Sequence, residues 1–185
     1  MIEDIIKDGE DRMQKSIQAL QKEFASIRTG RANAAMFDGI FVSVYGSQMP
    51  LNQVATLSIP EPRLVVIQPW DKSNLGEIEK AILKSDLSVN PANDGNLIRI
   101  QIPELTEERR KEYVKRAKTK AEECRVSIRN IRRDGNDMVK ALEKDKSLSE
   151  DDSKNAQTRI QKITDKYIGE IDKVIDAKSK EIMSI

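Results

Sequence analysis

The chain has 185 residues, of which 38% are hydrophobic, 34% charged and only 4% aromatic, with a formal net charge of +1. That balance fits a long helical protein with much solvated surface better than a globule with a deep core, and it disfavours an aromatic-lined pocket or base-stacking platform. Histidine is absent, which removes the commonest general base and metal ligand, and no glycine-rich phosphate loop occurs; no catalytic site, metal or cofactor is expected.

The single cysteine, Cys124, excludes an internal disulfide and suits a reducing compartment. No apolar run approaches the roughly 20 residues of a membrane span, and the N-terminal residues lack a secretory layout, so a cytoplasmic protein is expected.

Met13, Ile17, Leu20, Phe24 and Ile27 recur at alternating steps of four and three and predict a first helix, whose apolar face Ile2, Ile5 and Ile6 extend. Gly9 weakens it by about 1 kcal/mol relative to Ala. Thr29-Gly30 is expected to end it, with Gly30 as a left-handed cap.

Residues 31–105 change character and contain all six prolines. Short β-rich runs at Ile40 to Tyr45, Val54 to Ile59, Arg63 to Gln68 and Leu97 to Ile102 predict strands. Gly46-Ser47 and Pro60-Glu61-Pro62 read as turns. Between Ser73 and Ser85 an amphipathic helix is expected, with Leu75, Ile78, Ile82 and Leu83 on its apolar side. Trp70 is assigned to core or junction packing first, and to a partner contact second.

A second long helix starts at Thr106, an N-cap followed by Glu107 and Glu108, and runs to about Lys146. Its apolar seam is Val114, Ala117, Ala121, Cys124, Ile128, Ile131, Gly135, Met138 and Leu142, so Cys124 is a packed thiol. Glycines at 135 and 169 lie inside helices. Gly135 permits either close packing or a local bend. Ser149 to Asp152 form a capping box that starts a third helix, which explains the acids there better than a metal site does. Ala156, Ile160, Ile163, Tyr167, Ile171 and Val174 mark that helix's inner face.

The order helix, α/β insert, helix, helix brings the ends of the first two helices together. Both consecutive pairs then run antiparallel. The predicted fold is α+β: an elongated antiparallel three-helix bundle from residues 1–30 and 106–185, with a small mixed α/β domain inserted at 31–105. Hinges are expected at Thr29, Gly30 and Arg31 and at Pro103, Glu104 and Leu105, because only two chain crossings join the parts.

The positive excess sits in residues 106–146, which carry 14 basic and 9 acidic side chains. One position beyond the seam lies a second stripe, Lys111, Lys115, Lys118, Glu122, Arg125, Arg129 and Arg132, and Arg116 and Arg133 broaden it. A solvated face neutralised by neighbouring acids is the plain reading of such a run. Three features favour a polyanion, RNA above all: the stripe is one-sided, it lacks acids at i,i+4, and arginine dominates its C-terminal half. The arginine fork suits phosphate oxygens, and a rigid row follows a phosphate backbone with affinity that falls as salt rises.

Five segments together resemble the ribosome recycling factor family across essentially the whole chain: Ser26-Ile27-Arg28-Thr29-Gly30-Arg31-Ala32; Asp38-Gly39-Ile40 with Tyr45-Gly46; Ser85-Asp86-Leu87 with Asn90-Pro91; Leu105 to Lys111; and Arg129-Asn130-Ile131-Arg132-Arg133-Asp134. The resemblance implies an L-shaped monomer of near-tRNA dimensions that binds the large ribosomal subunit after termination, its bundle against rRNA. With the GTPase elongation factor G it would split the post-termination complex, and GTP hydrolysis would belong to that partner. Family rRNA contacts map onto Arg129, Arg132 and Arg133, with Arg28, Arg31 and Arg110 near the hinge; Arg125, Lys118, Lys115 and Lys111 complete the candidate surface. The α/β domain would meet the GTPase. The competing reading is a structural or chaperone-like helical module that binds proteins through its bundle.

Overall fold

The computed structural model describes residues 1–184 and divides into two compact units, Met1–Ile27 with Lys111–Met183 and Arg28–Arg110. Helices α1 (Ile2–Ala25), α3 (Glu107–Lys144) and α4 (Glu150–Met183) supply the first unit. Cross-helix contacts fix their directions. From α1, Arg12 reaches Asp134, Ser16 reaches Ser127 and Glu23 reaches Lys120 on α3, an antiparallel order. Glu3 pairs with Arg159 and Glu10 with Lys166 on α4, so α1 and α4 run parallel. Arg132 meets Gln161 and Arg125 meets Asp172, so α3 and α4 are antiparallel.

Local chemistry sets the helix ends. Thr106 Oγ1 accepts the Arg109 N–H at 3.2 Å, and Ser149 Oγ accepts the Asp152 N–H at 3.1 Å while donating to Asp152 Oδ2 at 2.8 Å. Between α3 and α4, Lys146 takes a left-handed φ of 65°, and the Ser147 and Leu148 N–H groups return to the Leu142 carbonyl. Helix α1 ends at Ala25, capped by Ser26, earlier than expected. Gly30 does adopt φ +79°, but four residues beyond Ser26 and not as the helix cap.

The bundle core falls into two buried clusters, with half-buried Ile163 packed against both. Met13, Ile17, Leu20 and Phe24 pack against Ala117, Ala121, Cys124, Ile128 and Ile131 and against Tyr167, Ile171, Ile175 and Ile182. A second cluster joins Ile6, Val139, Ala156 and Ile160. Two seams depart from expectation. On α3 the seam passes from Gly135 to Val139, leaving Met138 48% exposed. On α4 the central positions are Thr164 and Ile175, with Ile163 and Val174 only half-buried at the rim. A Cβ on Gly135 would lie 3.3 Å from Ile160 Cδ1, so this glycine serves close helix approach. Gly169 has no such neighbour.

The second unit holds β1 (Phe41–Val44), β2 (Ser47–Pro50), β3 (Ala55–Glu61), β4 (Leu64–Pro69), α2 (Leu75–Lys84), β5 (Pro91–Asn93) and β6 (Ile98–Gln101). Strands β1 and β2 form a hairpin around Tyr45 (φ 50°) and Gly46 (φ 79°), a two-residue turn with both central φ angles positive. The other four form an antiparallel sheet in the order β3-β4-β6-β5. Pro60 lies on edge strand β3, at a register shift between Ser58 and Glu61, where a missing N–H is tolerated. Val42, Val65, Ile67, Ile98 and Ile100 are fully buried against Leu75, Ile78 and Ile82 of α2. Leu83, placed on that apolar side by sequence, is 57% exposed. Trp70 is likewise no core residue: it is 66% exposed, and its Nε1–H donates to Thr56 Oγ1 at 2.8 Å.

Candidate nucleic-acid interface

Helix α3 has 38 residues, about 57 Å at 1.5 Å per residue. Its seam, Ala117-Ala121-Cys124-Ile128-Ile131-Gly135-Val139, is buried along the bundle. Side chains one position further on therefore occupy one flank, and the contacts of Arg125 and Arg132 show that this flank borders α4.

The flank is less free than its charge suggests. Arg125 is a bridge between helices: its Nε and Nη2 donate to Asp172 Oδ1 at 3.1 and 2.6 Å, and its Nη1 donates to Glu122 Oε2 at 3.1 Å. Its side chain is only 21% exposed. Burial disfavours its charge, but hydrogen bonds to Asp172 and Glu122 outweigh that and push its pKa up. Glu122 also accepts from Arg129 Nη1 at 3.1 Å. Hydrogen bonds from Arg129 and Arg125 hold the Glu122 carboxyl below its ordinary value, so it is ionised at neutral pH. The expectation that the stripe lacks acids at i,i+4 is thus corrected, since Glu122 follows Lys118 by four residues and its arginines find acids at other spacings as well. Glu122, the stripe's own acid, is three residues from Arg125 and seven from Arg129, and Asp172 comes from another helix.

The remaining cations differ in kind. Arg129 keeps substantial exposure, 42% of its side chain. Arg132 is half-buried; its Nη1 donates to Gln161 Oε1 at 3.4 Å, a long bond, and its buried Nε has no partner. Arg133, Lys115 and Lys118 are exposed and show no ion pair among the described residues. Lys111 is exposed near the start of α3. Arg116 stacks its guanidinium 5.5 Å from the Tyr113 ring centre.

Three further candidates belong to the second unit. Arg31 is exposed, while Arg28 and Arg110 are half-buried, with Arg28 Nη2 and Arg110 Nε buried and unpartnered. All six expected hinge residues also lie in that unit. Thr29 is buried, a Cβ on Gly30 would touch Leu105 Cγ at 3.8 Å, and Glu104 pairs with Arg63 at 3.1 Å. The division between units falls at Ile27/Arg28 and Arg110/Lys111.

Asp172 and Gln161 had no signal in the sequence, because they reach the stripe across 47 and 29 residues of chain. Among the described residues no group of three or more His, Cys, Asp or Glu side chains is arranged to hold a metal ion, and no helix is long and apolar enough to cross a membrane.

Fold and surface together define a two-part α+β protein: a three-helix bundle with one cationic helix flank, interrupted in sequence by a small antiparallel-sheet unit. A family model described as ribosome recycling factor matches residues 20–183. A ribosome-recycling factor of Carboxydothermus hydrogenoformans is 60% identical over 185 residues, covering 100% of both chains. A solution structure of a ribosome recycling factor is 46% identical, with a TM-score of 0.82, and covers 100% of this chain and 98% of its own. A second solved structure describes models for the Thermus thermophilus ribosome recycling factor and the Escherichia coli elongation factor G bound to the E. coli post-termination complex. It is 46% identical with a TM-score of 0.67, covering 100% of both chains. The chain belongs to the ribosome recycling factor family, a family of translation factors.

Proposed function

We propose that this protein binds the large ribosomal subunit after termination and, with elongation factor G, splits the post-termination complex and releases the ribosome from mRNA. The observation that carries this reading is the α3 flank. Lys115 and Lys118 are exposed there, and Arg133 beside them, with no ion pair among the described residues, and Arg129 keeps its Nε and Nη2 N–H groups unengaged. Such a row suits a phosphate backbone and has no aromatic platform for unstacked bases, which favours recognition of RNA shape and phosphate. Family membership supports rRNA as the polyanion.

In this reading the protein is a cytoplasmic monomer that catalyses nothing and carries no cofactor. GTP hydrolysis belongs to the elongation factor, which meets the α/β unit. The two chain crossings at Ile27/Arg28 and Arg110/Lys111, just outside residues 29–31 and 103–105, form a hinge through which a push on that unit is passed to the rRNA-anchored bundle. Arg28, Arg31 and Arg110 add phosphate contacts beside the hinge, and Lys111 continues the row.

A salt titration of large-subunit binding tests the anchor. Log affinity is expected to fall linearly with log salt, and Arg129→Ala and Arg133→Ala are each expected to reduce the slope by about 1. Helical content is expected to stay unchanged. A flat salt response, or wild-type binding by the combined Arg129→Ala/Arg133→Ala variant, would leave the structural-module reading in possession.

A further inference from the structure

Arg129 stands at the end of a chain of four charged side chains. Asp172 of α4 holds Arg125 by two bonds to one oxygen, at 3.1 and 2.6 Å. Arg125 Nη1 donates to Glu122 Oε2 at 3.1 Å, and Glu122 Oε1 accepts from Arg129 Nη1, also at 3.1 Å. The first guanidinium is 21% exposed and the last 42%. The order therefore runs from a fixed interhelix pair to a more exposed cation.

Glu122 has two conceivable effects on a phosphate at Arg129. As a competitor it would occupy the part of the fork that a phosphate needs and would repel it. As a support it would fix the side chain and leave that part open. A guanidinium offers five N–H groups, and Nε–H and Nη2–H share the edge that binds two oxygens side by side. Arg125 uses that edge on Asp172. Arg129 does not use it on Glu122, which takes only Nη1. The two-pronged edge of Arg129 has no partner among the described residues.

We infer that Glu122, backed by Arg125 and Asp172, is a positioning residue that holds Arg129 extended with its Nε/Nη2 edge open to a backbone phosphate. The inference rests on the reading of α3 as an rRNA-binding helix. Arginine otherwise loses side-chain freedom on binding. Paying that cost during folding tightens the complex without adding a contact to the RNA. It also accounts for the one acid among the seven stripe positions, which stands three and seven residues before the two arginines it organises.

The test measures binding of the full chain to large subunits across a salt series for Glu122→Ala, Glu122→Gln, Arg129→Ala and the Glu122→Ala/Arg129→Ala pair. Glu122 is exposed on a helix and Ala favours helix, so the fold is retained; circular dichroism checks this. Glu122→Ala is expected to weaken binding roughly three- to tenfold with its salt slope unchanged, because no phosphate contact is lost. Glu122→Gln, whose amide oxygen still accepts from Nη1, is expected to recover most of that loss. In the Arg129→Ala background Glu122→Ala is expected to do nothing further. Equal or tighter binding by Glu122→Ala would overturn the inference and make the carboxylate a spectator or competitor. A loss as large without Arg129 as with it would also overturn it. Wild-type affinity and slope in Arg129→Ala would instead sink the underlying rRNA reading at this position.

Discussion

Three glycines inside the bundle helices, Gly9, Gly135 and Gly169, give a direct measure of how tightly the bundle is packed. Gly135 and Gly169 offer the cleanest pair. A glycine in a helix interior costs about 1 kcal/mol relative to Ala. At Gly169 an added Cβ meets nothing within 4 Å, so Gly169→Ala is expected to realise nearly that full gain, an increase in Tm of about 2–4 °C for a chain of this length. At Gly135 the same methyl would lie 3.3 Å from Ile160 Cδ1 and 3.9 Å from its Cγ1 and Cγ2. Ile160 is itself only 5% exposed, packed with Ile6, Val139 and Ala156. Ile160 has to give way by a few tenths of an ångström, and turning a side chain off its rotamer costs about 0.5–1.5 kcal/mol. Propensity and crowding nearly cancel, so Gly135→Ala is expected to leave Tm close to wild type. Gly135→Leu brings overpacking of about 1–3 kcal/mol and is expected to lower Tm. Thermal unfolding followed by circular dichroism at 222 nm reads all three. Gly135→Leu melting at or above Gly169→Ala would refute the account of Gly135 as the close-approach point.

Two other outcomes follow from charge and burial. Burial pushes the Cys124 thiol pKa up, opposed by nearby Arg125, and Sγ lies 3.5 Å from the Ser16 carbonyl; maleimide labelling at neutral pH is expected to be slow in the native protein and fast once it unfolds, and equal rates would contradict a packed thiol. Glu3 is held below its ordinary pKa of 4.5 by hydrogen bonds and charge from Arg159, at 2.6 and 3.0 Å. Because the folded value is depressed, the pair's stabilisation is present above 4.5 and is lost as pH falls through the folded value. The Tm gap between wild type and Arg159→Ala is therefore expected to hold near neutrality and close in acid, and a gap unchanged through that range would remove the pair as its cause.

Periodicity located the long helices, and the capping residues Thr106 and Ser149 located two of their starts, because both signals are local. It failed where two steps were equally apolar. From Gly135, a step of three reaches Met138 and a step of four reaches Val139. The choice belongs to Ile6, Ala156 and Ile160, which enclose Val139. At Ile163 and Thr164 hydropathy points to the wrong residue. Thr164 is buried because its hydroxyl donates to the Ile160 carbonyl at 2.8 Å and so carries no unmet bond. Strands β2 and β5 have little β-propensity of their own. Their conformation comes from partners: Phe41 opposite Pro50, and Ile100 opposite Pro91. Trp70 was misplaced because an indole reads as core, whereas here its N–H finds Thr56 at the surface.

The stripe shows the same limit in electrostatics. A count along one helix treats every cation as equally available, but availability is decided by what the neighbouring helix presents. Asp172 of α4 removes Arg125 from the pool by turning it into an interhelix tie, and a surface acid on α3 alone would not have done so. Glu122 acts on Arg129 differently, through one N–H, with the side chain still exposed. Two arginines four residues apart on one flank therefore have different chemistry. Replacing Arg125 leaves Asp172 without its partner and is expected to lower bundle stability, whereas replacing Arg129 is expected to weaken the polyanion binding proposed for the flank. Separating those two effects, stability from binding, is what distinguishes a phosphate-binding row from a solvated helix face that merely looks like one.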